Sequence, residues 1–221
     1  MSRDKFNISS LKVEENLHRP VRNTYIQQPE SVGRLAVIYP GLRYSCDRPL
    51  LYYSTEILLN RGFDVLQLWA DYDDPEFQNA TKAEQTVQLI EDGKSLLQAG
   101  IRSNVYSHLI LVGKSLGTLT MAFLLSEKAD LIEPKTIWFT PLFYLPPVSK
   151  TVLEINEQAF VAGSEADQTF DATTVKQLHE KTNIILQVFE DADHSLEVPG
   201  DPLRSTKILS TLVEELMQFL G

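Results

Sequence analysis

Short apolar runs alternate with longer amphipathic segments along most of this chain, from Arg34 to its last residues. The apolar runs show no alternation with polar residues, which is typical of strands buried on both faces. The runs that predict strands are residues 35–39, 63–69, 108–112, 136–140, 158–162 and 184–189. The segments whose apolar residues recur at helical spacing are 50–59, 77–99, 115–126, 173–179 and 203–220. This order predicts an α/β protein with a mostly parallel central sheet and helices on both faces.

The first residues of the chain follow a different pattern. Residues 1–10 are polar, and we expect them to be loosely ordered. Two roughly alternating stretches, 11–17 and 21–27, predict an antiparallel strand pair at one edge of the sheet. A length of 221 residues suits one large domain rather than two, so we predict a single domain over residues 1–221.

Charge and cysteine content narrow the classes of function. A net charge of −10 disfavours nucleic-acid binding, since that binding relies on clustered Lys and Arg that meet phosphates. The single cysteine, Cys46, allows no intrachain disulfide, and without a nucleophile motif it is predicted to be a small loop or core residue. No apolar signal-peptide core follows Met1, and no apolar run approaches the ~18 residues that cross a membrane. We therefore expect a cytoplasmic protein with no membrane or nucleic-acid partner.

The strongest chemical signal is the sequence Gly-Lys-Ser-Leu-Gly at residues 113–117. It joins an apolar run to a helix-like segment, which is the order required by a sharp strand-to-helix turn that exposes a serine oxygen. A free serine hydroxyl is a weak nucleophile, so Ser115 predicts nucleophilic catalysis in combination with a nearby base. The alternative is a glycine-rich turn in which the serine caps a helix. A phosphate-binding loop is disfavoured, because His108 stands where its first glycine would be.

Candidates for the base and the acid follow the last two predicted strands. His194 comes directly after the final strand and, of the four histidines, is the one at the carboxyl edge of the predicted sheet. Ligands of open α/β sheets bind at that edge, so we predict His194 as the general base. Asp167 follows the preceding strand and is the predicted acid that orients the His194 ring, with Asp171 and Glu165 as competitors.

Acyl transfer also needs backbone N–H groups aimed at the developing oxyanion. One predicted donor is the amide of Leu116, next after Ser115, at the start of a helix whose dipole favours negative charge. The second is predicted in the loop after Pro40 and Gly41, most simply the amide of Leu42. The alternative for this loop is an ordinary Pro-Gly turn.

With these residues the chain resembles the α/β-hydrolase superfamily over nearly its whole length. Ser115, Asp167 and His194 stand in the chain order of that fold, each after a successive strand region. The resemblance implies the α/β-hydrolase fold, nucleophile, acid and base roles for those three residues, and oxyanion donors at Leu42 and Leu116. The general look is similar to compact members, the dienelactone-hydrolase-like proteins and other small carboxylesterases.

Two departures from the family pattern shape the expected site. Many relatives carry His-Gly where this chain has Pro40 and Gly41, so the oxyanion loop is expected to differ in detail. Many also insert a cap after the strand that follows the nucleophile helix, whereas here residues 141–156 alone lie between the predicted strands. We therefore expect no substantial cap domain. The site should be shallow and open, walled by residues 42–48, 72–77 and 142–148.

Further polar residues near these loops are candidates for lesser roles. Arg43, Tyr44 and Arg48 lie beside the predicted oxyanion loop and are candidates for binding a substrate carboxylate, against the alternative of surface ion pairs. Lys114 is a candidate for touching substrate or for pairing with an acid. The acidic run 71–74 lacks the glycine and terminal glutamate of a calcium loop, so we predict a solvated loop and no metal site.

Together these features predict a serine hydrolase that cleaves a small-molecule acyl ester or thioester through an acyl-Ser115 intermediate, without cofactor or metal. Two alternatives stay open. One is non-catalytic binding or scaffolding on the same fold, and the other is acyl transfer to an alcohol or amine, which differs only in how well water is excluded. The acyl group, the leaving group and the oligomeric state have no signal in the sequence.

Overall fold

A computed structural model contains one sheet of eight strands within the residues that the structure describes, which are 5–13, 20–30, 32–70, 72–127 and 132–221. The strands are β1 Asn7–Ser9, β2 Asn23–Gln27, β3 Arg34–Tyr39, β4 Asp64–Leu68, β5 His108–Lys114, β6 Lys135–Phe139, β7 Ala159–Ser164 and β8 Ile184–Phe189. Their order across the sheet is β1-β2-β4-β3-β5-β6-β7-β8. β1 and β2 are antiparallel at one edge, and the strands from β3 onward run parallel to one another.

Helices cover both faces of this sheet. Within the described ranges they are α1 Pro49–Asn60, α2 Pro75–Asn79, α3 Lys82–Arg102, α4 Leu116–Ser126, α5 Pro146–Glu154, α6 Ala172–Leu178 and α7 Pro202–Leu220. α1 and α7 pack on one face, and α3, α4, α5 and α6 pack on the other. Of the helices described, none combines the length and the apolar character that crossing a bilayer requires.

The central strands are buried on both faces, as their unbroken apolar runs predict. In β3, Leu35 and Val37 pack against the α3–α6 side, whereas Ala36 and Ile38 pack against α1 and α7. All four side chains are inaccessible to solvent. The predicted mostly parallel α/β architecture is confirmed, and the carboxyl ends of the parallel strands meet at one edge of the sheet.

The antiparallel edge differs from the prediction. β2 lies within the predicted stretch 21–27, but its outer partner is β1. The expectation that residues 1–10 are loosely ordered is therefore wrong for β1. Leu11 is held by the Asn23 side chain, which binds its backbone N–H at 2.8 Å and its carbonyl oxygen at 2.9 Å. Residues 14–17 of the other predicted stretch lie outside the described residues.

The single long helix predicted over residues 77–99 is two helices, α2 and α3. The break at Ala80 arises because Thr81 caps α3. The Glu84 N–H donates to the Thr81 hydroxyl at 3.3 Å, and the Thr81 N–H donates to the Glu84 carboxylate at 2.8 Å. This reciprocal capping box fixes where α3 starts. α3 then runs past Gly100, where the prediction ended it.

The segment between β6 and β7 contains α5, a helix that the hydrophobic pattern did not predict. It begins with Pro146 and Pro147, which a helix tolerates in its first turn because the N–H groups there have no partner within the helix. Val148 and Val152 are fully buried in the core on the α4 side. α5 is thus the crossover connection between two neighbouring parallel strands.

Candidate active site

Ser115 lies between β5 and α4 at a turn with unusual backbone geometry. Its φ of 52° and ψ of −114° are far from the regions that residues with a Cβ prefer. The Ser115 N–H donates to the Phe139 carbonyl oxygen at 3.1 Å, and the Thr118 N–H donates to the Ser115 carbonyl oxygen at 2.8 Å. The predicted nucleophile therefore stands on a strained turn that is held by hydrogen bonds on both sides.

The two glycines of the motif are required by close packing. A Cβ on Gly117 would overlap the carbonyl group of Tyr39, at the end of β3. A Cβ on Gly113 would overlap the Met121 side chain and the Gly117 backbone. Glycine at both positions lets α4 begin directly against β3 and β5, and this contact sets the direction in which Ser115 projects.

Three predicted site residues meet at the carboxyl edge of the sheet. His194 Nε2 lies 2.8 Å from Ser115 Oγ, and His194 Nδ1 lies 2.7 Å from Asp167 Oδ2. The three residues follow β5, β7 and β8, so each comes from a different loop. A hydrogen-bonded chain thus runs from the serine hydroxyl through the imidazole to a carboxylate.

Asp167 has partners besides the histidine. The Thr169 N–H donates to Oδ1 and the Thr169 hydroxyl donates to Oδ2, each at 2.9 Å. Burial by itself raises the pKa of the Asp167 carboxyl, but the hydrogen bonds from His194 and Thr169 outweigh burial and hold the pKa below its ordinary value. Asp167 is therefore ionised at neutral pH and can stabilise a positive charge on the neighbouring ring.

The competing carboxylates lie elsewhere. Asp171 caps α6, where its Oδ2 accepts a hydrogen bond from the Thr174 N–H at 2.8 Å. Glu165 is exposed to solvent. In the described part of the chain, neither carboxylate is hydrogen-bonded to His194.

A tight turn over residues 193–197 carries His194. The Asp193 carboxylate accepts hydrogen bonds from the Ser195 N–H at 2.7 Å and the Glu197 N–H at 3.1 Å. Leu196 is buried in the core and completes the turn with a φ of 58°. The His194 side chain is 38% exposed, so solvent reaches the imidazole.

The predicted oxyanion loop is a tight turn after β3. The Gly41 N–H donates to the Tyr44 carbonyl oxygen at 3.2 Å, and the Tyr44 N–H donates to the Gly41 carbonyl oxygen at 3.3 Å. A Cβ on Gly41 would lie 3.1 Å from the Ser115 Cβ, so the loop approaches the serine closely. Across the described ranges, the N–H groups of Leu42 and Leu116 donate to no other protein group outside their own helix or strand.

The residues predicted to bind substrate differ in exposure. Arg43 projects outward with a φ of 55°, and its Nε donates to Asp73 Oδ1 at 2.8 Å. Tyr44 is buried, and its hydroxyl accepts a hydrogen bond from the Leu50 N–H at 3.1 Å. Lys114 is buried despite its charge, with 1% of its surface accessible. Of the three, Arg43 is the residue that faces solvent.

The acidic run 71–74 and the cysteine have structural contacts. Asp73 pairs with Arg43, and Asp74 caps α2, whereas Asp71 lies outside the described residues. Cys46 is buried, and burial raises the pKa of its thiol. A buried thiol with a raised pKa is a poor nucleophile.

Two threonines that the sequence pattern did not single out lie at the site. Thr169 holds Asp167, and its position two residues after an aspartate is typical of a turn in which the carboxylate accepts a nearby N–H. Thr140 follows β6 with a φ of 41°, and its buried hydroxyl has no partner among the described residues. Positive φ in a β-branched residue is rare, and no local sequence signal indicates it.

The strand order, with a serine turn after β5 and the loops of Asp167 and His194 after β7 and β8, defines the α/β-hydrolase fold that the sequence resemblance implied. Solved structures of that fold match nearly the whole chain.

An esterase of Pyrococcus furiosus superposes with a TM-score of 0.69 at 16% identity, over 97% of this chain and 91% of its own. Est1E of Butyrivibrio proteoclasticus gives a TM-score of 0.68 at 10% identity, over 96% of this chain and 99% of its own. An α/β serine hydrolase homologue of Coxiella burnetii gives 0.66 at 12% identity, over 98% and 99% respectively. By sequence, no protein-family model and no curated protein matches the chain.

Proposed function

We propose that this protein is a serine hydrolase that cleaves a small-molecule acyl ester or thioester through an acyl-Ser115 intermediate. The observation that carries the proposal is the hydrogen-bonded chain from Ser115 through His194 to Asp167 on a strained strand-to-helix turn. Nucleophile, base and acid in this arrangement perform acyl transfer on several unrelated folds. The structural likeness to an esterase and to a serine hydrolase homologue supports the same class of reaction.

In the acylation half, His194 Nε2 takes the proton of Ser115 Oγ as the oxygen attacks the substrate carbonyl carbon. The carbonyl π electrons move onto the carbonyl oxygen, which becomes a tetrahedral oxyanion. The N–H groups of Leu116 and Leu42 are the proposed donors to that oxyanion. Asp167 accepts the Nδ1–H hydrogen bond and stabilises the imidazolium while it exists.

Collapse of the tetrahedral adduct breaks the bond to the leaving oxygen or sulfur, which receives the proton from His194. Neutral His194 then takes a proton from water, whose oxygen attacks the acyl-Ser115 carbonyl carbon. A second tetrahedral adduct collapses to the free acid, and Ser115 Oγ regains its proton. The cycle consumes one water and leaves the protein unchanged.

The exposure of the base favours hydrolysis over acyl transfer to another acceptor. Acyl transfer requires that water be kept from the acyl-enzyme. The His194 side chain is 38% exposed, so water reaches the imidazole ring. Arg43 at the rim is the proposed contact for an acidic group on the substrate, in exchange for its exposed pairing with Asp73.

The test is covalent labelling with a fluorophosphonate, read as the intact mass of the protein. Native protein is expected to gain one phosphonyl group and Ser115→Ala none. Ser126→Ala, at the far end of the same helix, serves as the matched control and labels like the native protein. Hydrolysis of p-nitrophenyl acetate by the same three proteins should follow the labelling.

A native protein that takes no label and hydrolyses no ester would favour the non-catalytic binding alternative. Labelling that persists in Ser115→Ala would contradict the assignment of the nucleophile. Unfolding temperatures of the three proteins show whether any loss comes from unfolding, and we expect them to be equal.

A further inference from the structure

Lys114 stands where the strand pattern requires an apolar side chain. Along β5 the side chains alternate between the two faces, and Ile110 and Val112 belong to the core beneath α1 and α7. Lys114 shares their face and is 1% exposed. Its aliphatic stem therefore lies in the core, directly below the turn that carries Ser115.

The Lys114 side chain passes beneath the oxyanion loop. Its Cγ would lie 3.5 Å from a Cβ on Gly41, and its Nζ lies 5.1 Å from the centroid of the Tyr44 ring. That distance is within the range of cation–π attraction. Tyr44 closes the loop and is itself fixed to α1 through the Leu50 N–H. The ammonium thus contacts the residue on which the shape of the oxyanion loop depends.

Two carboxylates in the other loops of the site act on the Lys114 charge. Asp167 follows β7 and holds the His194 ring, and Asp193 closes the turn that carries His194. Neither forms a direct ion pair with Lys114, so the attraction acts over a distance through the protein interior. The direct contacts of Lys114 are thus with the oxyanion loop, and the two carboxylates add a favourable field.

We propose that Lys114 is a positioning residue, a buried cation that holds the oxyanion loop in its reactive arrangement beside Ser115. The role rests on the proposed function of the site. It differs from substrate contact, because the side chain lies below the loop and out of reach of solvent.

The buried charge of Lys114 lowers the stability of the folded protein. A buried cation without a direct ion pair is unfavourable, whereas methionine has a similar length and would fill the same space without a charge. A role in packing alone is served at least as well by the apolar residue. Charge and packing can therefore be separated by one substitution.

The charge on Lys114 changes near neutral pH. Burial lowers the pKa of its ammonium to about 7, against the raising effect of Asp167 and Asp193. Tyr44 stays neutral, since burial raises its pKa to about 12, and Arg48 lies 5.7 Å from the same ring. Lys114 is therefore charged at mildly acidic pH and loses its proton as the pH rises through about 7.

The effect on stability has a definite sign. The unfolded chain keeps the Lys114 proton up to its ordinary pKa of 10.5, whereas the folded chain releases it at about 7. The penalty for burying the charge is therefore complete below the lower value and fades as the pH rises toward the higher one. Removing the charge should stabilise the protein most at mildly acidic pH.

The experiment compares native protein with Lys114→Met, Lys114→Arg and a control, Lys150→Met, which changes an exposed lysine on α5. The kcat and KM for p-nitrophenyl acetate are measured from about pH 5.5 to about 9.5, together with unfolding temperatures. Ser115→Ala gives the background rate of hydrolysis that does not depend on Ser115.

We expect native kcat, divided by the kcat of Lys114→Arg at the same pH, to decline as the pH rises through about 7, because arginine stays charged and both proteins use the same general base. Lys114→Met should lower kcat about tenfold at mildly acidic pH with KM unchanged and approach native kcat as the pH rises through about 7. It should also unfold at a higher temperature than native protein at mildly acidic pH. Lys150→Met should match the native protein in every measurement.

Native kcat and a native pH profile in Lys114→Met would overturn the proposal. So would a loss of activity accompanied by a lower unfolding temperature, because packing would then explain both. If Lys114→Arg fails to fold, the profiles of native protein and Lys114→Met decide the question. A native protein without Ser115-dependent hydrolysis refutes the proposed function and this role with it, whereas active native protein with an unaffected Lys114→Met refutes only the role.

Discussion

The two edges of the sheet differ in which residue types adopt positive φ. At the carboxyl edge, four described residues with side chains adopt positive φ, in the loops after β3, β5, β6 and β8: Arg43, Ser115, Thr140 and Leu196. At the amino edge, the described positive-φ positions before β3 and β4 are glycines, Gly33 and Gly62. Glycine adopts this conformation without strain, and other residues do not. Strain is therefore concentrated around the candidate site, where it is expected to serve function.

The buried charges of the two edges show the same contrast. Asp64, at the amino end of β4, accepts hydrogen bonds from the Tyr106 hydroxyl and the Gln28 N–H, each at 2.8 Å, and from the Tyr25 hydroxyl at 3.4 Å. Lys114, at the carboxyl end of β5, has a cation–π contact and distant carboxylates. A charge that serves stability is surrounded by hydrogen bonds. Within the described residues the charge beneath Ser115 has no such set of hydrogen bonds, which is the arrangement expected if the proposed activity costs stability.

A substitution of Asp167, the proposed acid of the candidate site, is the strongest test of this contrast between the two sheet edges. Asp167→Asn keeps the shape of the side chain but removes the charge that stabilises the imidazolium, and we expect kcat to fall about 10,000-fold. Asp171→Asn is the matched control, since asparagine caps a helix as well as aspartate does, and its kcat should be native. Ester hydrolysis by the two variants is the measurement. A larger loss in Asp171→Asn would transfer the acid role to that residue.

At the amino edge, a substitution is expected to change the free energy of unfolding and leave kcat unchanged. Asp64→Asn leaves the Tyr106 hydroxyl and the Gln28 N–H with a poorer acceptor, and we expect the free energy of unfolding to fall by about 3 kcal/mol. The kcat should stay native, because no group of the candidate site touches Asp64. Urea unfolding and ester hydrolysis measure the two quantities. A loss of activity without a loss of stability would remove the distinction between the edges.

The smallest effect is expected at a glycine of the amino edge. A Cβ on Gly62 would meet the Val32 side chain at an ordinary contact distance of 3.4 Å, so Gly62→Ala creates no clash. Its φ of 79° is nevertheless unfavourable for alanine, and we expect a loss of about 1 kcal/mol in the free energy of unfolding. The kcat and the urea unfolding curve of Gly62→Ala are measured together. A native kcat would show that strain at the amino edge does not affect ester hydrolysis.

Local signals in the sequence predicted most of the fold. The parallel strands from β3 to β8 are largely apolar runs, and each was recognisable without knowledge of its neighbours. The strand-turn-helix order around Ser115 is equally local. The positions of Asp167 and His194 followed from the rule that functional loops leave the carboxyl ends of parallel strands.

Features that depend on distant contacts were not predictable in this way. β1 is defined by its pairing with β2, and Leu11 is held by hydrogen bonds to the distant Asn23 side chain. Lys114 gives a more instructive case. The predicted strand ended at Val112, which put the lysine in a turn, whereas the observed strand continues through Lys114 and its alternation turns that side chain into the core. A difference at one strand end thus separates a candidate for substrate contact from a buried cation.

β1 also bears on how the protein behaves in concentrated solution. An edge strand offers unpaired N–H and C=O groups on which the strands of other chains can grow, and long apolar edges invite aggregation. β1 is three residues long with every side chain exposed, whereas β2 behind it is five residues long and includes the buried Tyr25 and Ile26. While β1 stays paired, it keeps the longer β2 from serving as a template. Pairing by β1 is thus expected to limit strand addition at this edge, a role that is independent of the proposed reaction.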